Sequence, residues 1–186
     1  MRKTFAVCLC SLICVLSLAQ NPIVTTAYTP DPAPFVYGDI LYMFTGHDED
    51  DATYFKMKEW MVYSTGDMVN WTYLGTPVTT ATSEWAFQGD RAWASQAVER
   101  DGKWYWYVCL TEAATNADAL AVAVADDPQG PYRDAIGGPL ATGWSFIDPT
   151  TFIDNDGRAY LFWGNKGLWH GELKDDMISF KDGEKE

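Results

Sequence analysis

The sequence predicts an all-β fold, a β-propeller built from four-stranded antiparallel blades. Short runs rich in Trp, Tyr, Phe and Val recur along the chain, and no stretch shows sustained helical periodicity. Turn sequences such as Gly38-Asp39, Asp101-Gly102 and Asp156-Gly157 separate paired runs, as in β-hairpins. The pattern repeats with a period of roughly 60 residues, at the upper end of the range for propeller blades.

Three copies of the repeat are present. The first begins at Asp31-Pro32 and the last at Asp148-Pro149, whereas the copy between them begins with Trp93 in place of the Asp. From Asp31 to Trp93 is 62 residues, and from Trp93 to Asp148 is 55. The three expected blades cover approximately residues 28–75, 92–138 and 146–182.

Residues 1–19 have the features of a secretory signal peptide. Arg2 and Lys3 precede an apolar run, and Ser17-Leu18-Ala19 supplies the small residues of a cleavage site. Cleavage there leaves Gln20 rather than a Cys at the new terminus, which argues against a lipoprotein. The remaining residues, 20–186, are expected to be secreted or periplasmic, and no apolar run among them is long enough to span a membrane.

Signal cleavage would remove three of the four cysteines and two positive charges. Only Cys109 stays, so no internal disulfide can form, and its place in an aromatic strand predicts a buried thiol. The formal net charge changes from -13 to -15 with the loss of Arg2 and Lys3. Such an acidic chain is not expected to bind nucleic acid or an anionic membrane, and it fits a neutral substrate.

The antiparallel meander predicts which end of the array carries the functional site. Loops between strands two and three of each blade, and the links between blades, lie on the side where the first strands begin. These loops are long and aromatic here, whereas the opposite side has only tight turns. Asp31 and Asp148 open the innermost strands, so we expect both carboxylates to converge near the central axis. Two carboxylates in one aromatic pocket can perform acid and base chemistry on a glycosidic bond, although a lone Asp-Pro pair more often caps a turn.

Separated motifs give the chain a resemblance to a known family. In chain order they occupy residues 28–34, 42–48, 63–71, 147–150 and 160–165. Together they resemble glycoside hydrolase family 43, whose members are secreted five-bladed propellers that act on arabinose- and xylose-containing plant polysaccharides. The resemblance implies that the chain holds about three of five blades and is the N-terminal part of a longer enzyme.

The resemblance also implies roles for individual residues. Asp31 would be the general base that activates water, and Asp148 would orient the general acid and tune its pKa, in a reaction with inversion. The general acid of the family is a Glu in a later motif, and Glu172, Glu184 and Glu186 do not match that motif. The acid is therefore expected beyond residue 186, and the 186-residue chain alone is expected to be inactive.

Other residues on the expected functional face are candidates for sugar binding. Trp93 opens the middle blade and could form a stacking wall, with packing between blades as the alternative. The same two options apply to Trp144 and Phe146, which lie in the link before the third blade. Asn165 ends an inner hairpin and offers hydrogen bonds to sugar hydroxyls, and His47 is expected to help shape the subsite.

The acidic stretch at residues 47–51 raises the possibility of a structural calcium ion, because hard oxygen ligands cluster there. Consecutive acids lack the spacing of a known calcium loop, so a solvated loop is favoured. No cofactor and no metal ligands are predicted.

Three functions remain open from the sequence. A glycosidase that removes arabinofuranosyl or xylosyl units from arabinoxylan, arabinan or xylan is favoured, because two acids at the axis carry a desolvation cost that plain binding seldom justifies. The alternative is a non-catalytic carbohydrate-binding propeller. A sugar-transferring or phosphorolytic propeller would need a basic cluster, and the arginines are scattered. The choice among arabinofuranosidase, β-xylosidase and endo-arabinanase depends on whether the loops form a pocket or a groove.

Overall fold

A computed structural model of the chain describes residues 22–183, so the expected signal peptide at residues 1–19 lies outside the described part. The described residues form twelve β-strands and one 3-10 helix at Thr80–Thr82. The strands are β1 (Ala33–Tyr37), β2 (Ile40–Asp48), β3 (Met57–Thr65), β4 (Thr72–Thr79), β5 (Ser95–Arg100), β6 (Lys103–Thr111), β7 (Asp118–Ala125), β8 (Arg133–Asp134), β9 (Ala141–Gly143), β10 (Thr150–Ile153), β11 (Ala159–Trp163) and β12 (Trp169–Leu173). The predicted all-β fold is confirmed.

Three antiparallel sheets follow one another along the chain, as the repeat predicts. The first is the meander β1-β2-β3-β4, the second is β5-β6-β7-β8, and the third is β10-β11-β12. In the second sheet β8 and β9 share the outer position, because β8 pairs with one end of β7 and β9 with the other. These successive meanders form part of a β-propeller.

The third sheet has three strands where the repeat predicts four. After β12 the chain turns at Asp176, whose carboxylate accepts hydrogen bonds from the backbone of Ile178 and Ser179. Phe180 then makes an isolated bridge to Leu173 and stacks on Trp163, with ring centroids 5.4 Å apart. Between residues 174 and 183, this bridge and the ring contact stand where a fourth strand was expected.

The second sheet lies between two hydrophobic cores, and alternate residues of its strands face each one. Trp104 and Trp106 of β6 pack with Phe44 and the rest of the first sheet. Tyr105 and Tyr107 point the other way, into the core shared with the third sheet. Because both faces are covered, β6 and β7 read as continuous apolar runs rather than alternating ones.

Cys109 belongs to the face of β6 that is turned toward the third sheet. Its thiol is fully buried and lies 3.7 Å from the main-chain oxygen of Phe146, to which it donates. Burial raises the pKa of this thiol well above its usual range. The prediction of a buried cysteine is therefore confirmed. Across residues 22–183, no helix is long and apolar enough to cross a membrane.

Candidate active site

Asp31 and Asp148 occupy equivalent positions in the first and third sheets. Each lies two residues before the first strand of its sheet, and each is followed by Pro. Both have left-handed backbone conformations, with φ of 52° for Asp31 and 58° for Asp148. Such angles are uncommon for residues with a side chain and persist only where the surrounding structure holds the backbone. Asp adopts such angles more readily than most residues, and hydrogen bonds of the preceding backbone hold both aspartates in place.

The backbone just before each aspartate is anchored in the same way. The N–H of Gly46 donates to the main-chain oxygen of Pro30 at 3.1 Å, and the N–H of Gly164 donates to that of Ile147 at 2.8 Å. In the first sheet the buried hydroxyl of Thr45 donates to the same oxygen of Pro30, at 2.7 Å. Each aspartate thus follows a carbonyl that is tied to the end of the second strand of its own sheet.

A side chain would disturb the two anchoring positions to different extents. A Cβ at Gly46 would collide with the terminal methyl group of Met57, and a Cβ at Gly164 would collide with the main-chain oxygen of Gly167. Gly164 also has a φ of 113°, which side-chain-bearing residues rarely adopt. Glycine is therefore required at position 164, whereas at position 46 the end of the Met57 side chain can move aside.

Asp31 and Asp148 line a single cleft of about 330 Å³. All three sheets contribute to it, because Trp93 and Ala94 precede β5 of the second sheet. Asn165 lies on the wall contributed by the third sheet. The remaining lining residues are Phe55, Met57 and Ile147. The structure therefore brings together four of the residues singled out from the sequence: Asp31, Trp93, Asp148 and Asn165.

The cleft raises the pKa of both carboxyl groups. For Asp31 the main cause is desolvation by the walls of the cleft, followed by the negative charge of Asp48. For Asp148 desolvation again comes first, followed by the negative charge of Asp31. Both residues stay accessible from the cleft, so their desolvation is partial. A raised pKa makes a carboxylate a stronger base, which suits proton abstraction from water.

Trp93 is a fixed wall of the cleft and also packs against the core. Its indole N–H donates to the main-chain oxygen of Phe55 at 3.2 Å, and its own carbonyl accepts from the indole of Trp60 at 2.6 Å. Its backbone N–H donates to Cys109 of the second sheet. One part of the side chain therefore packs against the core, as one of the two alternatives predicts, and another part lines the cleft, while sugar stacking stays a prediction.

Trp144 lies outside the cleft of the carboxylates but close to it. Its side chain is 92% exposed and lines a neighbouring cleft that shares Phe55 and Trp93 with the first. The next residue, Ser145, donates from its backbone to Asp118 at 3.0 Å and from its hydroxyl to the carbonyl of Asn165 at 2.8 Å. These bonds tie the loop of Trp144 to the wall of the first cleft.

Phe146 does not line the cleft, contrary to the prediction. It is 4% exposed and packs against Trp163 and Trp169, with ring centroids 5.5 Å and 5.0 Å away. Ser145 has a φ of 65°, so the chain turns between Trp144 and Phe146. One aromatic side chain therefore points to solvent and the other into the core.

His47 also lies away from the carboxylate pair. Its Nδ1 is 2.8 Å from Glu59, and it lines a separate cleft with the acidic loop after β2. Asp48, its neighbour in sequence, does influence the site, because its charge raises the pKa of Asp31. Among residues 22–183, no three His, Cys, Asp or Glu side chains form a group that could hold a metal ion.

Sequence reasoning missed Phe55 and Met57, which line the cleft. Both sit at the start of β3 or just before it, where apolar residues are expected for packing alone. They reach the cleft because the loop before β3 lies beside the first residues of the neighbouring sheet, a contact that the sequence pattern does not indicate. The hydrogen bond from Trp93 to Phe55 makes this contact directly.

Comparison with a protein-family model identifies the family of this chain. The model for glycosyl hydrolases family 43 matches residues 19–186, nearly the entire chain. The chain belongs to this family. The resemblance inferred from the motifs around Asp31 and Asp148 is therefore confirmed.

Curated relatives in family 43 match the chain over most of its length. A xylosidase/arabinosidase of Bacteroides ovatus is 33% identical over 154 residues, which cover 79% of this chain and 46% of the relative. The xylosidase/arabinosidase 43A of Humicola insolens is 31% identical over 82% of this chain and 48% of its own length. The chain thus spans about half the length of the curated relatives it matches.

Solved family 43 structures share the fold. A β-xylosidase/α-arabinofuranosidase from a compost microbial metagenome, in complex with xylotriose, superposes with a TM-score of 0.80 at 27% identity, over 89% of this chain and 60% of that one. An enzyme of the same family from Xanthomonas citri, complexed with xylotriose, gives a TM-score of 0.79 at 28% identity, over 88% and 56%.

Proposed function

We propose that the protein containing this chain is an exported glycoside hydrolase that releases xylosyl or arabinofuranosyl units from plant cell-wall polysaccharides. The single observation that supports this most is the presence of Asp31 and Asp148 in one cleft of a family 43 chain. Relatives described as xylosidase/arabinosidase, and solved relatives that hold xylotriose, favour pentose-containing substrates. The signal-like residues 1–19 support export.

In the proposed mechanism Asp31 is the general base. The pKa of Asp31 is raised, first by desolvation and then by the negative charge of Asp48, which makes its carboxylate a stronger base toward water. A water molecule between Asp31 and the anomeric carbon attacks as the glycosidic bond breaks, and the configuration inverts. The proton of the water passes to the carboxylate of Asp31.

Asp148 has the role of a positioning residue for the general acid in this mechanism. A negative charge beside the acid keeps it protonated, so that it can donate to the leaving oxygen. The acid itself is proposed to be a glutamate of the complete protein other than Glu172, Glu184 and Glu186. Trp93, whose ring is fixed by its hydrogen bond to Phe55, would cover one face of the sugar.

The proposal is tested with the complete protein that contains this chain, on aryl β-xylosides and aryl α-arabinofuranosides. Asp31→Asn is expected to lower kcat by roughly 10²–10⁴-fold, the usual contribution of a general base. Asp39→Asn is the matched control, because Asp39 is an exposed residue of the turn between β1 and β2 at the opposite end of the sheet. It is expected to leave kcat unchanged.

Three results would contradict the proposal. Equal activity of the Asp31→Asn variant and the control would show that Asp31 is not the general base. Binding of xylo-oligosaccharides without hydrolysis of any glycoside would indicate the carbohydrate-binding alternative. Nuclear magnetic resonance of the first-formed sugar tests inversion. Retention of the anomeric configuration would exclude the proposed direct attack of water on the anomeric carbon.

A further inference from the structure

The first strand of the third sheet is bound to the second sheet through one side chain. Gln96 lies in β5 opposite Tyr107, on the face of the second sheet that is turned toward the third. Its side-chain oxygen accepts hydrogen bonds from the hydroxyl of Thr150, at 3.0 Å, and from the backbone N–H of Thr151. Both donors belong to β10, and they follow Asp148 closely in the chain. The side chain of Gln96 therefore crosses between the two sheets just after the carboxylate.

The two donors determine which end of the Gln96 amide faces β10. A backbone N–H can only donate, so the atom that meets Thr151 must be the oxygen of Gln96, and a flipped amide would lose this bond. β10 pairs with β11 on one side and with no other strand among the described residues. Gln96 therefore satisfies a backbone N–H on the open edge of the third sheet.

A second attachment to the same sheet lies just before Asp148. Cys109 of β6 donates from its thiol to the main-chain oxygen of Phe146 at 3.7 Å. The backbone of Asp148 also forms a hydrogen bond with this thiol, which partly offsets the rise in the pKa of Cys109. Residues 146–151 are thus bound to two paired strands of the second sheet, through Cys109 on one side of Asp148 and Gln96 on the other.

The same part of the second sheet holds Trp93. The backbone N–H of Trp93 donates to the main-chain oxygen of Cys109 at 3.2 Å. Cys109 thus contacts the backbone of both Trp93 and Asp148, and Gln96 adds the second attachment of the Asp148 segment. A displacement of that segment would move the carboxylate relative to the wall that Trp93 forms.

Gln96 can influence the site without touching a ligand in it. The carboxylate cleft is lined by Asp148 and Trp93, whereas Gln96 is not among the described residues that line it. The side chain of Gln96 is neutral, so it binds β10 without placing a further negative charge near Asp31 and Asp148. Its contribution is therefore to the geometry of the site and not to its charge.

We propose that Gln96 is a positioning residue for Asp148, and that it acts through its hydrogen bonds to Thr150 and Thr151. The inference rests on the proposed function, because the role of Asp148 beside the general acid belongs to that mechanism. A misplacement of about 1 Å in an active site can cost roughly 10²-fold in rate. Loss of the two bonds is therefore expected to lower kcat, while Trp93 and the other walls of the cleft keep their positions.

The test measures kcat and KM of the complete protein on one aryl glycoside. Gln96→Leu, which accepts no hydrogen bond, is expected to lower kcat by roughly 10–100-fold and to change KM by less than about threefold. Gln96→Glu keeps an acceptor oxygen and is expected to bring kcat back to within about fivefold of the unmodified protein. Gln88→Leu is the matched control, because the Gln88 amide also binds backbone, at the carbonyls of Thr80, Ser83 and Ala86, but lies outside the cleft. It is expected to leave kcat unchanged.

A double variant separates positioning from a general loss of stability. In the Asp148→Asn background, Gln96→Leu should lower kcat by less than about twofold, because a residue that acts through the Asp148 carboxylate has no further effect once that group is gone. Equal losses in both backgrounds, or an unchanged kcat in the Gln96→Leu variant, would overturn the inference and leave the hydrolase intact. If Gln96→Leu does not fold, Gln96→Asn is judged by the same criteria, since its side chain is too short to keep both bonds.

Failure of the unmodified protein to hydrolyse any glycoside would overturn the proposed function. In that case a nuclear magnetic resonance titration of the Asp148 carboxyl group decides the inference. Desolvation and the charge of Asp31 raise the pKa of Asp148, and a less firmly held side chain gains water. Gln96→Leu should therefore move the pKa of Asp148 toward its ordinary value, whereas Gln88→Leu should not. An unchanged pKa in the Gln96→Leu variant would overturn the inference.

Discussion

Asp31 and Asp148 are structural equivalents that share one cleft, each with a left-handed backbone and each preceded by a carbonyl bound to a glycine N–H. The internal repeat therefore determines the positions of these two residues as well as the succession of the sheets. It places an aspartate with the same left-handed backbone and the same anchor twice at one cleft, and Trp93 occupies the equivalent place in the sheet between them.

The two glycine anchors differ in how much a methyl group would disturb them. Gly164→Ala is expected to destabilise the protein by about 2–3 kcal/mol, because it imposes a strained φ and a clash with backbone. A Cβ at Gly46 meets chiefly the flexible end of Met57, with Pro30 Cγ 3.3 Å away, so Gly46→Ala should cost less, about 1 kcal/mol. Urea unfolding of both variants measures the difference. An equal loss of stability would contradict the proposed anchoring.

Thr45 is expected to position Asp31 through Pro30. Thr45→Val removes the buried hydroxyl that donates to the Pro30 oxygen, at a cost of about 0.5–1.5 kcal/mol, and it should lower kcat more than it changes KM. Thr111→Val is the matched control: Thr111 is equally buried, and its hydroxyl has no hydrogen-bond partner among the described residues. The control should be neutral or stabilising. Similar losses of stability and kcat in both variants would refute the positioning role.

The raised pKa values make the carboxylates a cost to stability near neutral pH. A carboxyl group whose folded pKa is raised binds more protons in the folded than in the unfolded state, so stability falls as pH rises above the ordinary Asp pKa. Asp148→Asn is therefore expected to raise the melting temperature at pH 7, while the gain shrinks near pH 4. Both groups are partly solvated, so the effect is reduced by screening. A lower melting temperature at pH 7 would contradict the desolvation of this site.

The same pKa shifts predict the acid limb of the activity profile. If Asp31 acts as base, kcat/KM falls as Asp31 becomes protonated, at a pH above the ordinary Asp pKa because desolvation and Asp48 both favour the neutral acid. Removing the charge of Asp48 with Asp48→Asn should move this limb to lower pH. An unchanged limb would show that another group controls it.

The two aromatic residues on either side of Ser145 should respond differently to truncation. Phe146→Ala is expected to cost about 3–5 kcal/mol, because Phe146 is buried against Trp163 and Trp169. Trp144→Ala should change stability by less than about 0.5 kcal/mol, since its ring is in solvent. Chemical unfolding measures both. A large loss of stability in the Trp144→Ala variant would contradict the exposed position of the Trp144 side chain.

The fold could be predicted because its signals are local and repeated. Alternating aromatic strands, tight turns and a fixed period identify three successive meanders, and the position of each aspartate before its first strand fixes which end of the sheet it occupies. The repeat also indicates that Asp31, Trp93 and Asp148 are equivalent. The structure adds the cleft that these three residues share.

The parts that could not be predicted depend on single backbone angles and on packing between distant segments. Trp144 and Phe146 look alike in the sequence, and only the φ of Ser145 separates a solvent-exposed ring from a buried one. Phe180 was expected in a fourth strand but stacks on Trp163 instead. Phe55 reaches the cleft because its carbonyl is bound by Trp93 of another sheet.

The central claim is that Asp31 and Asp148 act together on one glycosidic bond. The most direct test is kcat/KM of the complete protein with Asp31→Asn, with Asp148→Asn and with both, on one aryl glycoside. Groups that act as a unit are strongly non-additive, so each single variant should lose at least about 10²-fold and the double variant little more than the worse single one. Full additivity, or near-normal activity in either single variant, would contradict the claim.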